Sequence, residues 1–597
     1  MTVETVARVT PSEGRAPALD PIVTSVIGLR LEAVAKEMAV AALRTTRSSI
    51  FNLVGDFITA ITDARGRTLA HTEYAAIIAY SVEPSLAAII ERFEDISDGD
   101  VFLHNDVFTG GNQNHDLGVF VPVFADGVLV AWSVCKGHQA DMGGSVVGGY
   151  DPSIVEVWQE AFRIPPIRYY EAGRLRSDLR DLIAANVRLQ YVMDDLDAMI
   201  GACRVGARGI DQLIEHYGTK RFAAHSDELL SASARTVTAE IATWPRGVWQ
   251  GESIMVSDGI DPFRRYRIAC ELTIDDDGVC FDYSATDDQA PGFTNMPASS
   301  AMAGVRIALL MVLAAGGVQV ERNHGLLAPV RVVFREGSLL NPTFPAATMF
   351  GNQMCDEVFE AAMVALSQPL PERVTAGWNQ ALGTAYSGID PRDGNRKVFF
   401  GSFNRGGAGA MSGADGHDAL GFTGSVGQTR TPDVESYEIA HPIRIDRYER
   451  WPDSAGAGRW RGGYGTITQR TLLADDLTGS TLGDDVVAEG AAPGPGLAGG
   501  EDAGLNTLTL TAPDGSVRTW GSKERIPGIV EGTLVTCIMG GGAGYGNPFE
   551  RPAEAVLSEV LDGLCSVGWA ALHYGVVVDP TTGTVDRSAT EARRSRR

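Results

Sequence analysis

Two apolar runs, Leu117 to Phe124 and Val128 to Cys135, flank an Asp126-Gly127 pair, and this arrangement leaves few folds other than a β-hairpin open to the segment. Asp-Gly tolerates the positive φ angles of a two-residue turn, and β-branched residues on either side suit paired strands. With Asp126-Gly127 as the loop, Ala125 faces Val128 and the numbers of paired residues sum to 253. Counting back sets His115 opposite His138 and Asp116 opposite Gly137. A register one residue longer sets Asp116 opposite His138 instead. Either way, an Asn/Gln/His/Asp cluster meets a His-Gln-Ala-Asp cluster at the open end. Gly110-Gly111 and Gly143-Gly144 beside it let backbone approach closely, as bound ligands often require. The open end is a candidate metal or acid–base site.

Size and charge limit what that site can serve. The 597 residues are ample for two to four domains. The 69 glycines exceed the usual share of about 7%. They cluster at turns and in Gly-Gly pairs, which points to a turn-rich chain containing β-structure. A net charge of −25 would repel nucleic acid and anionic membrane alike. The seven cysteines form no C-x-x-C motif and read as reduced thiols. No signal peptide opens the chain, and the longest apolar run, Ile307 to Val318, is too short to span a bilayer. A soluble, cytoplasmic protein is expected.

The expected fold class is α+β, with a helical N-terminal part, the site hairpin in the middle and a β-rich, Gly-containing C-terminal part. Residues 1–19 read as a mobile arm, 20–245 as an α+β region holding the hairpin stretch 104–144, and 246–396 as a mixed region. Residues 397–577 read as β-rich with a terminal helix, and 578–597 as a disordered tail. Asp20-Pro21 is a helix start, with apolar residues at helical spacing to about Arg47. Ser177 to Tyr217 reads as two helices broken around Gly201, Ser299 to Ala315 as a buried apolar helix, and Pro552 to Tyr574 as one helix.

Asp116 and His138 are the strongest candidates for chemistry, with Gln113, His115 and Asp141 close by. Carboxylate plus imidazole suits Zn²⁺, Mn²⁺ or Fe²⁺. The same pair could act as general acid and base without metal, or form a structural hydrogen bond across the hairpin. Asp141 reads as a base, as a carboxylate orienting the imidazole, or as a cap of the turn at Met142-Gly143. His324 and His417, beside glycines in loops, read as surface or capping histidines. No G-x-x-x-x-G-K-[ST] and no G-x-S-x-G occurs.

Taken in order, HNDVFTGG, PVFADG, GHQADMGG, RNHGLLAPV, EGSLLNPTFPAA, VESYEIAHPIRI, DSAGAGRWRGGYG and GGGAGYGNP resemble the hydantoinase B/oxoprolinase family over about Asp20 to Tyr574. The resemblance implies the second, non-ATPase subunit of an ATP-dependent hydantoinase, 5-oxoprolinase or acetone/acetophenone-carboxylase-type enzyme. It implies a hydantoinase A-like ATPase partner of actin-like fold, using ATP and Mg, that phosphorylates a carbonyl oxygen of a cyclic amide or ketone. It also implies a His-x-x-Asp pair and a later His holding a metal whose bound water opens the ring. Those positions fall on Gln113, Asp116 and His138, so glutamine stands where histidine is expected, and His115 is the nearest replacement. The leading expectation is a catalytic cyclic-amidase subunit; the alternatives are a carboxylase subunit and a non-catalytic scaffold for the ATPase.

Overall fold

A computed structural model describes residues 3–6, 19–72, 74–380, 382–425 and 430–595. By internal contacts the chain divides into two units. The first is Met1–Val248 with Ala269–Cys355 and Gln428–Arg430, and the second is Trp249–Ile268 with Asp356–Gly427 and Thr431–Arg597. The fold is α+β, as expected.

The expected hairpin is the centre of the first unit. Strands Asp116–Ala125 and Val128–His138 lie in the middle of a seven-stranded antiparallel sheet. Phe57–Asp63 and Thr68–His71 lie on one side of them, and Val101–His104, Ile167–Glu171 and Arg174–Leu175 on the other. Asp126 and Gly127 both take positive φ, 52° and 76°, as a primed two-residue turn requires.

Helix Pro21–Thr45, capped by the Asp20 carboxylate at Ile22 N (2.9 Å), packs with helices Tyr191–Tyr217 and Thr219–Ile241. Ile27, Leu31, Met38, Ile210 and Leu230 join Ile61 and Val123 of the sheet in one buried cluster. Ser133 faces this helical layer, with its Oγ at 3.5 Å from the Met38 sulfur. By the two-residue period of a strand, Val134, Lys136 and His138 face the opposite side. There the apolar helix Ala298–Ala315 contributes hydroxyls: Ser299 Oγ donates to the Gly111 carbonyl (2.6 Å) and Ser300 Oγ to the Asn112 carbonyl (3.0 Å). Another sheet begins in the order Val3–Val6, Val330–Phe334, Gly278–Asp282, Arg265–Asp275.

The second unit holds a four-stranded and a five-stranded antiparallel sheet that contribute Leu382, Tyr386, Leu477, Leu508 and Val535 to one core around the buried Trp520. The Gly-rich stretches near 401–422 and 456–465 are not strands. They run as irregular backbone packed directly against other backbone: Gly463 N donates to the Ala408 carbonyl (2.8 Å) and Gly542 N to that of Gly463 (2.9 Å). A Cβ on Gly462 would fall 1.7 Å from the Gly542 oxygen, so only glycine fits.

Three expectations need correction. Gly201 lies inside helix Tyr191–Tyr217, and the break falls at Val187–Gln190 instead. Gly201 is exposed, and its helix cost of about 1 kcal/mol is outweighed by the buried face beside it. The C-terminal helix is two, Ala553–Leu561 and Val567–His573, separated at Gly563 with φ 72°. The tail 578–597 is ordered over its described part. Val578–Asp579 pairs with Thr584–Val585, and Asp586 caps helix Arg587–Arg594, whose Arg594 donates to the Tyr574 carbonyl (3.0 Å). Of the expected arm, Val3–Val6 forms an edge strand, and residues 1–2 and 7–18 lie outside the described residues.

Candidate active site

The hairpin uses both registers read from its sequence. Ala125 pairs with Val128 and Phe124 with Leu129, but Val123 pairs with Ala131, so Val130 is an extra residue on its strand. From that bulge onward the longer register holds, and Asp116 pairs with His138. Nδ1 of His138 donates to Oδ1 of Asp116 at 2.8 Å, with Asp116 and His138 only 1% and 3% exposed. His115 does not sit opposite His138. Its ring stacks beside it at 5.6 Å between centroids, and among the described residues neither ring nitrogen has a hydrogen-bond partner.

Amide groups hold the other carboxylate oxygen. Asn112 Nδ2 and Asn352 Nδ2 (3.0 Å) both donate to Asp116 Oδ2. Asn352 Nδ2 also reaches Gln113 Oε1 (3.1 Å), while Gln113 Nε2 donates to the Met349 carbonyl (2.7 Å). Behind Asn112 the network continues: Ser81 Oγ donates to Asn112 Oδ1 (3.1 Å), and Lys136 Nζ donates to Ser81 Oγ (2.7 Å). Lys136, fully buried, lies two residues before His138 on the same strand face.

The electrostatics follow from this burial. Desolvation alone would lower the His138 pKa, but the hydrogen bond and charge of Asp116, with that of Asp56, raise it above its ordinary value. Burial pushes Asp56 up to about 6 against the pull of His138. Lys136 is brought down to about 7 by burial, with Asp116 opposing. His115 is held well below the histidine range by burial and by the neighbouring positive groups His138 and Arg188, so it is neutral.

Asp141, expected as a catalytic group, makes its contacts elsewhere. Its fully buried carboxylate accepts from the Arg188 backbone N (2.6 Å) and Nη1 (3.3 Å), and Arg188 also donates to the Gly144 carbonyl. These are the contacts of a loop anchor. The glycine pairs likewise admit backbone, not ligand: Gly111 closes on Asn105 and Gly144 on Glu160.

Gln113, Asp116 and His138 come together, yet as arranged the Gln113 and Asp116 oxygens are engaged in hydrogen bonds and are not presented to a metal. Asparagine donors take up Gln113 Oε1 and Asp116 Oδ2, and the remaining carboxylate oxygen is spent on His138 Nδ1. Among the described residues no group of three or more His, Cys, Asp or Glu side chains is placed to hold an ion. Sequence reading missed Lys136, Asn112, Asp56 and Asn352. Lys136 carried a signal, a lysine in an apolar strand at even spacing from His138. Asn352, 236 residues from Asp116, carried none.

A cavity of about 760 Å³, within the range of small-molecule sites, lies against the 107–110 turn. Gly110 and Ser299 stand in its wall, whereas Asp116 and His138 do not.

The hydantoinase B/oxoprolinase family model matches residues 20–548. The chain belongs to that family. It is 33% identical to the beta chain of a caprolactamase from Pseudomonas jessenii, over 97% of this chain and 99% of the relative. The crystal structure of ATP-dependent caprolactamase from that organism superposes with a TM-score of 0.88 at 31% identity, covering 97% of this chain and 100% of the other. A Pseudomonas sp. (strain NS671) protein assigned as the B component of a D-/L-hydantoinase is 30% identical over 94% of this chain and 95% of its own length. The acetophenone carboxylase delta subunit of Aromatoleum aromaticum is 26% identical, over 91% of this chain and 84% of its own.

Proposed function

We propose that this family member is the ring-opening subunit of an ATP-dependent cyclic amidase, working with an ATPase subunit that phosphorylates the substrate carbonyl oxygen. The observation that carries the reading is the buried Asp116–His138 pair, since two ionisable side chains are rarely placed at such depth for packing alone. Asp116 fixes the Nδ1–H tautomer, which directs the chemistry of the ring to Nε2. In this role His138 takes a proton of the water that adds to the phosphorylated carbon and returns it to the ring nitrogen as the C–N bond breaks; this leaves an acyl phosphate, which a second water hydrolyses to the carboxylate and phosphate. Lys136, through Ser81 and Asn112, and Asn352 directly, hold the Asp116 carboxylate in place.

Two further readings each have a supporting observation. A ketone-carboxylase subunit is supported by the acetophenone carboxylase relative, at lower identity than the amidase relatives. A divalent transition metal, Zn, Mn or Fe, is supported by the unpartnered His115 nitrogens beside His138. There the two histidines would be its imidazole donors, and the ion would supply a polarised water.

The test is reconstitution with the ATPase-like companion subunit. ATP-dependent turnover of caprolactam, hydantoins and 5-oxoproline is expected, and turnover of ketones with bicarbonate is not. Ketone carboxylation alone would establish the carboxylase reading, and full turnover by the companion without this chain would leave it a scaffold.

A further inference from the structure

The Asp116–His138 pair is shut away from solvent. His115, Asp116 and His138 are 0%, 1% and 3% exposed, and neither member of the pair lines the cavity of about 760 Å³. A water and a substrate ring reach His138 only after part of the protein moves. One short loop lies directly over the two imidazoles. Tyr150 stacks on the His138 ring, 5.9 Å between centroids at an interplanar angle of 18°. Gly149 lies against His115, where a Cβ would fall 2.1 Å from the ring carbon Cε1, so only glycine fits. The Tyr150 hydroxyl is hydrogen-bonded with the side chains of Gln113 and Gln353.

This loop is fastened at its ends and lightly held between them. At the first end Arg188 donates to the Gly144 carbonyl and Ser145 N to that of Gln159 (2.7 Å). At the second end the Asp151 carboxylate accepts from Ser153 N (3.1 Å) and Ser153 Oγ (2.7 Å). Among the described residues, no backbone–backbone hydrogen bond joins residues 146–150 to anything outside the loop. The Gly148 amide instead reaches the Asp141 carboxylate. Gly143, Gly144, Gly148 and Gly149 all take positive φ, 75° to 84°. Glycine changes the sign of φ at little cost, so the two pairs are hinge points in a segment with few bonds to break.

We propose that residues 145–150 are the lid of the Asp116–His138 site and that the Tyr150 hydroxyl is its latch. Turning on its glycine pairs, the lid carries Gly149 off His115 and Tyr150 off His138, so both imidazoles open together. Closed, it keeps bulk water from the pair. That a cyclic amide enters by this opening rests on the proposed function; the opening itself does not.

The lid is tested by treating the full chain, without companion subunit or ATP, with diethyl pyrocarbonate and following each histidine by peptide mass spectrometry. His216 and His417, both exposed, set the fast limit, and the buried His225 and His441 set the rate of a histidine without a lid. His115 and His138 are expected to react more slowly than the exposed pair, yet at least tenfold faster than His225 and His441, as local opening requires. Tyr150→Phe keeps the ring and removes the hydroxyl, and should speed His115 and His138 threefold or more while His225 is unchanged. Reaction of His115 and His138 no faster than that of His225 would overturn the lid. Wild-type rates in Tyr150→Phe would overturn the latch, since a ring that merely packs would give them. Should Tyr150→Phe also speed His225, a sign of general unfolding, Gln353→Leu takes its place with the same expectation. Because no substrate is present, absence of amidase activity leaves this result standing, and a failed lid leaves the ring-opening assay standing.

Discussion

Asp116 and His138 face each other across the central hairpin, Oδ1 to Nδ1 at 2.8 Å, because Val130 bulges out of the strand eight residues before His138 and shifts the pairing by one. Without that extra residue His115 would stand opposite His138 and Asp116 opposite Gly137. The Asp116–His138 pair is thus made by a local irregularity in an otherwise regular ladder.

Removing either half of the pair should abolish the general-base contribution. Asp116→Asn and His138→Gln are each expected to lower kcat by about 10²- to 10⁴-fold, measured as ATP-dependent ring opening by the reconstituted complex. Asp141→Asn should stay within about tenfold of the wild type, since Asp141 is held by Arg188 and not by His138.

A base must be unprotonated to act, so activity should rise with pH through the His138 pKa. Asp116 lifts that pKa above its ordinary value. The acid limb of the pH–kcat/KM profile is therefore expected above the value of about 6.5 of an unperturbed histidine. In Asp116→Asn the residual activity should show its acid limb at lower pH; an unmoved limb would separate the profile from this pair.

Lys136 imposes a pH-dependent cost on folding. Burial brings its pKa from 10.5 to about 7, so between these values the unfolded chain binds a proton that the folded chain does not. Its penalty is full below about pH 7 and is relieved as pH rises toward 10.5. Lys136→Met should accordingly raise the melting temperature more at about pH 6 than at about pH 9. A uniform shift at both pH values would contradict the assignment.

Asn352 joins Gln113 and Asp116 through one amide nitrogen. Asn352→Leu leaves both oxygens short of a donor and should cost about 1–3 kcal/mol, read from denaturant unfolding. Combined with Asp116→Asn the losses should be less than additive, because the two changes remove one shared contact.

The hairpin and its polar end were legible because turn chemistry and strand alternation are local. Asp126-Gly127 and the flanking β-branched runs leave little choice, and the two registers differ by one residue. The bulge at Val130 was not legible, since nothing in Val128-Leu129-Val130 marks which valine leaves the ladder. Gln113 and Asp116 could be placed near His138, but their shared contact Asn352 arrives from a distant segment that local pattern does not reach. Gly201 misled because a helix tolerates an exposed glycine when its neighbours are buried. The tail misled because its charge masks Val578 and Val585, which pack on the core around Tyr574. His324 looked like a capping residue beside glycine, and the carboxylate it contacts, Glu83, lies 241 residues away.

In the proposed function His138 opens the ring while the companion subunit spends ATP. The most direct measurement follows phosphate release and ring-opened product together in the complex reconstituted with His138→Gln. The predicted result is loss of product by at least about 10²-fold with phosphate release retained, so that ATP turnover is uncoupled from ring opening. Product formation at the wild-type rate in that variant would contradict it.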